Sequence, residues 1–78
     1  MSQLEINRSS ENSLKAVIPI DLGKMEKITK FIHAALDKAI LLRTIFRVKR
    51  TEEDVTLYFE GDKSSIKAVE KWLKKNLR

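Results

Sequence analysis

The sequence contains no cysteine and only one histidine, one proline and two glycines. Without cysteine the chain can form neither a disulfide bond nor a thiolate metal site. A single histidine also excludes a metal site built from several imidazoles. No segment approaches the roughly 18 apolar residues that span a membrane, and the N-terminal segment lacks the apolar core of a secretory signal. We therefore expect a soluble, cytoplasmic protein without a metal or other cofactor.

The residue combinations that enzymes use for catalysis are also missing. A catalytic centre needs a nucleophile with a base, paired carboxylates or a metal cluster. His33 lies at the border of a helical apolar stripe and is better explained as a boundary side chain than as a base. Glu52, Glu53 and Asp54 cluster in a predicted turn, where solvation explains them better than acid–base chemistry. We predict that the chain is not an enzyme.

Size and charge indicate what the protein needs from its surroundings. A chain of 78 residues forms one small domain. A domain of this size buries only about 60% of its unfolded surface, and oligomerisation is a common way to compensate. The net charge of +5 favours an anionic partner, which can be RNA, DNA or an acidic protein surface.

The first half of the chain predicts a tail, a strand and a helix. Residues 1–13 are polar and predict a flexible N-terminal tail, in which Leu4 and Ile6 could still add a few paired residues, so residues 14–78 form a single α+β domain. Alternating apolar residues predict a strand from Leu14 to Ile20. Pro19 places this strand at a sheet edge, or marks its end, because proline cannot donate a ladder hydrogen bond. Apolar residues then recur at spacings of three and four from Met25 to Ala39, which predicts a helix.

The second half predicts a hairpin and a second helix. From Leu42 the apolar period switches to two, and residues 50–54 form a polar turn. Residues 55–60 alternate again and predict the third strand. Asp62 or Ser64 can begin the last helix, whose free surface is rich in lysine.

The element order β-α-β-β-α predicts a three-stranded antiparallel sheet with two helices on one face. This is a ferredoxin-like fold without its last strand. The missing strand would leave an edge of the first strand open, with unpaired N–H and C=O groups. We therefore expect dimerisation through the sheet, with Val17 and Ile18 at the dimer edge. The partner is either a second copy or a related small subunit.

The sheet face away from the helices carries Arg43, Arg47, Lys49 and Tyr58. Basic side chains beside an exposed aromatic ring are typical of sheets that bind RNA, where bases stack on rings and phosphates meet cations. Such sheets usually present two or three aromatic residues, however, and this one presents only Tyr58. The alternative is a solvated face on which Arg47 or Lys49 pairs with Glu60 across the strands.

The stretch FRVKRTEEDVTLYFEGDKSSIKAVEKWLKKNL, residues 46–77, has a charged strand, a tight polar turn, an alternating strand and a helix that follows a pair of serines. It resembles the small dimerisation subunit of the KEOPS complex, the Pcc-type family. LKAVIPIDLGKMEKITKFI, residues 14–32, is similar to the opening strand and helix of that family. The resemblance covers residues 14–77 and rests on element order, lengths and the helix entry.

The resemblance implies a non-catalytic subunit that dimerises, supports the catalytic subunit that makes threonylcarbamoyladenosine in tRNA, and assists tRNA binding. The basic ending KWLKKNLR and the N-terminal tail depart from the family pattern and indicate a divergent archaeal paralogue that pairs with the standard subunit. The expected partner-binding residues on the helices are Phe31, Ala35, Ile66, Val69 and Trp72. The expected nucleic-acid-binding residues are Arg43, Arg47, Lys49, Tyr58, Lys71, Lys74 and Lys75. The alternative function is a free-standing RNA- or DNA-binding module that uses the basic open face of the sheet.

Overall fold

The computed structural model describes residues 4–21 and 24–77 of the chain. Its elements are β1 (Glu5–Ser10), β2 (Ser13–Pro19), α1 (Met25–Leu41), β3 (Ile45–Arg50), β4 (Asp54–Glu60) and α2 (Lys63–Asn76). The strands form one antiparallel sheet in the order β1-β2-β4-β3. The predicted α+β class is confirmed.

The prediction of three strands is wrong, because part of the predicted tail forms a fourth. Within β1, Ile6 pairs with Ala16 of β2, and Arg8 pairs with Leu14. Ile6 packs against the core, and the Arg8 guanidinium lies 4.0 Å from the carboxylate of Glu70 on α2. Contacts with distant parts of the chain therefore hold a segment whose own composition is polar. Residues 1–3 of the predicted tail, and Arg78 at the other end, lie outside the described residues.

The extra strand removes the expected dimer edge. β2 lies between β1 and β4, so Val17 pairs with Glu5 on one side and with Thr56 on the other. Ile18 faces the core and is only 8% exposed. Neither residue can pair with a strand of a second chain, and their assignment to a dimer edge is wrong. Pro19 is the last residue of β2, which is one of the two places that its missing N–H allows.

The core lies between the sheet and the two helices. It collects alternate residues of β2 and β4 and the central apolar stripe of each helix. Its buried apolar side chains are Leu14, Ala16, Ile18, Ile28, Ala35, Ala39, Val55, Leu57, Phe59, Ile66, Val69 and Leu73. Phe46 extends this core to the outer strand β3, because its ring lies 5.1 Å from the ring of Phe59.

The first helix ends without a glycine. Thr44 N–H donates to the carbonyl of Ala39, and Arg43 N–H donates to the carbonyl of Ile40. These two bonds form a Schellman motif, which needs a left-handed residue after the helix. Arg43 occupies that position with φ of 54°. An L-residue in this conformation costs roughly 1–2 kcal/mol, so the turn into β3 is held under strain.

Gly61, in the turn after β4, lies against the turn between β1 and β2 and against the turn before β3. Its N–H donates to the carbonyl of Asn12 over 2.9 Å, and the Asn12 side-chain amide donates back to the carbonyl of Gly61 over 2.9 Å. A Cβ atom at Gly61 would lie 3.0 Å from the Cγ2 atom of Thr44. The close approach of Thr44 therefore favours glycine here and keeps the start of β3 against the end of β4.

Core burial gives a direct stability test. Ile66→Ala in α2 should lower the free energy of unfolding by about 2–5 kcal/mol, because it leaves a cavity at a fully buried site. The matched control is Ile40→Ala in α1, at a side chain that is 65% exposed. This control should change stability by no more than about 0.5 kcal/mol. Urea unfolding followed by circular dichroism measures both, and equal losses would contradict the burial pattern.

The strained turn gives a second test. Arg43→Gly should raise the free energy of unfolding by about 0.5–1 kcal/mol, since glycine adopts a positive φ without steric cost but loses more entropy on folding. Arg43→Ala is the control, because alanine keeps the Cβ atom, and with it the backbone strain, and removes the rest of the arginine side chain. Urea unfolding should show a gain for glycine alone; a similar gain for alanine would assign the effect to the arginine side chain.

Candidate functional site

The open face of the sheet, on the side away from the helices, brings three of the predicted nucleic-acid-binding residues together. Tyr58 of β4 lies opposite Lys15 of β2 on one side and Arg47 of β3 on the other. Lys49 lies opposite Thr56, which is two residues before Tyr58 in β4 and on the same face. The Tyr58 side chain is 39% exposed. A shallow cleft of about 340 Å³ runs over this region, and Arg47, Lys49 and Tyr58 line it.

The cations of the open face form no ion pair with the described carboxylates near them. Lys15, Arg47 and Lys49 make no ion pair with any residue that the structure describes. Glu60, the expected partner, lies directly opposite Ile45 on β3 and opposite Ser13 on β2. The alternative in which Glu60 pairs with Arg47 or Lys49 is therefore not what the fold contains. Within the described residues, the face therefore presents unpaired cations beside an exposed aromatic ring, although Glu5 and Glu60 lie on the same face.

The other predicted nucleic-acid-binding residues lie elsewhere. Lys71, Lys74 and Lys75 belong to α2, in the helix layer on the opposite side of the sheet. Lys74 also lies 4.0 Å from the carboxylate of Glu70. Arg43 lies in the turn before β3 rather than within a strand. The fold thus separates the helix lysines from the basic sheet face, and the predicted set does not form one surface.

The predicted partner-binding residues of the helices divide into two groups. Ala35, Ile66 and Val69 are each 0% exposed, so they belong to the core and cannot contact a partner. Their assignment is wrong, because the centre of an amphipathic stripe faces the sheet. Phe31 and Trp72 are half-buried, and their rings stack between α1 and α2 with centroids 5.2 Å apart.

The structure has an exposed apolar surface that the sequence analysis did not predict. We call it the α1–β3 strip. It consists of Leu36, Ile40 and Val48, which are 41%, 65% and 45% exposed. Leu36 and Ile40 are four residues apart and so lie on the same side of α1. Val48 is on the helix-facing side of β3, since its partner in β4 is the buried Leu57. Exposed apolar patches of this kind mark interaction sites when they are contiguous.

The position of the strip follows from helix geometry. Phe31 lies on one side of the buried stripe of α1 and contacts Trp72 of α2. Leu36 and Ile40 lie on the other side of that stripe, away from α2. β3 is the outer strand that α1 contacts on this side. The sequence signal was present, because Leu36 and Ile40 form an apolar row beside the buried stripe and make it wider than the core requires.

The two outer strands of the sheet differ as potential binding edges. Neither β1 nor β3 has a neighbour on its outer side among the strands of residues 4–21 and 24–77. β1 contains a register shift between Arg8 and Ser10, and such bulges twist an edge and hinder further pairing. β3 pairs with β4 in uninterrupted register from Ile45 to Arg50. Every residue of β3 except Phe46 is exposed, so β3 presents the regular edge.

No group of three or more histidine or acidic side chains in the described parts of the chain is arranged to hold a metal ion. No helix within those parts is long and apolar enough to span a bilayer. Neither a protein-family model nor a curated protein nor a solved structure matches the chain. The α1–β3 strip, the β3 edge and the basic open face are the surfaces on which a function can be built.

Proposed function

We propose that this chain is a non-catalytic assembly subunit of a KEOPS-like complex, which makes threonylcarbamoyladenosine in tRNA in the cytoplasm. It acts as a divergent archaeal paralogue of the Pcc-type dimerisation subunit. It pairs with a related small subunit, supports the catalytic subunit and assists tRNA binding. The resemblance of residues 14–77 to that family supports the proposal, as does an α+β fold with both helices on one face of the sheet.

The observation that carries the proposal is the exposed α1–β3 strip. Leu36, Ile40 and Val48 are large apolar side chains that a small domain leaves in water. Burying one such side chain fully stabilises a complex by about 1.5–3 kcal/mol. The strip also adjoins a strand edge with free backbone groups, so apolar contact and hydrogen bonding are available to the same partner. Protein assembly can use both at one interface.

Complex capture tests the assembly role. The tagged protein, recovered from a nuclease-treated extract of its source cells, should bring down a threonylcarbamoyl-transferase subunit and a kinase-like partner, identified by mass spectrometry. Ile40→Asp should reduce this recovery by about tenfold or more, because it places a charge on the apolar strip. Ala34→Asp is the matched control on α1, at an exposed position away from the strip. Recovery of the tagged protein alone would contradict the proposal.

A second candidate function is RNA or DNA binding by the free-standing protein. The observation that favours it is the position of Tyr58 between Lys15 and Arg47 on adjacent strands. A base can stack on the exposed ring while the cations on either side contact the flanking phosphates. Lys49 adds a further cation to the same face.

Direct titration with labelled tRNA separates the two functions. A free-standing module should bind tRNA by itself, with an affinity that falls steeply as salt rises. Arg47→Glu combined with Tyr58→Ala should then abolish binding, measured by fluorescence anisotropy. Lys27→Glu makes the same change of charge at an exposed position of α1 in the helix layer and is the control. Weak binding by the wild type that the open-face variant does not change would reject this second candidate.

A further inference from the structure

We propose that the outer edge of β3 binds an extended acidic segment of another protein by strand addition, and that it does not pair with a second copy of this chain. The inference deepens the proposed assembly role, on which it rests, by defining the chemistry of one partner. It is carried by the regular edge of β3, by the sign and spacing of its charges, and by the apolar side chains next to it.

The edge is suited to strand addition. β3 keeps one register with β4 over Ile45–Arg50, so its outer N–H and C=O groups form a regular row. An added strand gains affinity from main-chain hydrogen bonds and specificity from alternate side chains. Phe46 on the inner side anchors β3 to the core through Phe59, which keeps the edge fixed. A fixed edge requires little ordering when a partner binds.

The charges of β3 oppose self-association. Two copies related by a two-fold axis would pair antiparallel, and residues directly opposite each other share a face. With Val48 on the axis, Arg47 of each copy faces Lys49 of the other. With Arg47 or Lys49 on the axis, that cation faces its own equivalent. Only the register with Phe46 on the axis avoids this opposition, and it pairs no more than Ile45–Arg47 of the strand. Like charges directly opposite are destabilising, and no described carboxylate pairs with Arg47 or Lys49 to offset them.

The same pattern defines the partner. Arg47 and Lys49 are two residues apart on the open face, so they select acidic side chains at alternate positions of an added strand. Val48 lies between them on the helix-facing side and selects an apolar residue there. Leu36 and Ile40 extend the apolar contact beyond the strand. A polynucleotide would use the cations and the Tyr58 ring but neither the backbone row nor Val48, whereas a peptide uses the cations, the backbone row and Val48 together. We therefore favour a peptide.

A peptide titration tests the binding. The full-length protein, labelled with ¹⁵N, is titrated with an acetylated peptide of about eight residues that alternates glutamate and valine. Amide shift changes should centre on Ile45–Arg50, Leu36 and Ile40. A lysine–valine peptide should bind on the order of tenfold more weakly or worse, and backbone N-methylation of the acidic peptide should remove binding. A thymidine oligonucleotide of similar charge should bind more weakly than the acidic peptide.

A charge reversal tests whether the cations of β3 prevent it from pairing with β3 of a second copy. Lys49→Glu should weaken the acidic peptide and at the same time create two Arg47–Glu pairs across the two-fold axis through Val48. We expect the wild type to sediment as a monomer and Lys49→Glu to form a dimer at the same concentration. Lys75→Glu on α2 makes the same change of charge far from β3 and should stay monomeric. Arg47→Glu also creates two ion pairs across the axis, with the acidic residue at the other position and Lys49 as the cation. It replaces Lys49→Glu in this test if that variant does not fold.

Several results would overturn the inference. These are equal binding of the acidic and lysine peptides, tighter binding of the oligonucleotide, shift changes centred away from β3, or a wild-type dimer whose amide shifts map to β3. Peptide binding at β3 with no complex recovered from extract would contradict the assembly role alone. A recovered complex without peptide binding at β3 would contradict this inference alone.

Discussion

The pairing of β2 with β4 is the interaction on which the rest of this structure depends. These two central strands run side by side over their whole length, from Ser13 opposite Glu60 to Pro19 opposite Asp54. Their alternate residues supply half of the buried apolar side chains, and both helices pack on the face that these residues form. The outer strands are added on either side, β1 to β2 and β3 to β4. Because side chains alternate across a strand, the register that buries Leu57 also places Tyr58 on the open face.

The two edges of the sheet differ in how readily a further strand could pair with them. β1 covers the edge of β2, and its bulge and its contact with α2 end the sheet on that side. β3 is regular and outlying, with apolar side chains towards α1 and cations towards the open face. Exposing the apolar side chains and free backbone groups of this edge to water does not stabilise the folded domain. This asymmetry is the reason that we propose binding at β3 rather than at β2, the strand that the sequence indicated.

The proposed protein and nucleic-acid surfaces share two residues. Arg47 and Lys49 border both the β3 edge and the cleft over Tyr58. An acidic strand on the edge would neutralise the same cations that a phosphate backbone would contact. The two ligands would therefore compete at this face, and an assembly partner on β3 would leave tRNA to the lysines of α2 in the opposite layer. Such an arrangement agrees with a subunit that contributes to RNA binding only within a complex.

The sequence by itself determined the elements whose apolar pattern is local and regular: β2, β3, β4 and both helices, together with the basic character of β3. It also determined the absence of cysteine-based chemistry. Tertiary structure alone decided the remaining features. β1 has a single core-facing apolar residue, Ile6, so its pairing depends on distant contacts that no local pattern reveals. Packing likewise decided how deeply each apolar residue of α1 is buried. Ala35 faces the sheet and is buried, whereas Ile40 lies beyond the edge of the sheet and stays exposed. The sequence could not separate the two, because a periodic stripe gives the direction of a side chain but not what covers it.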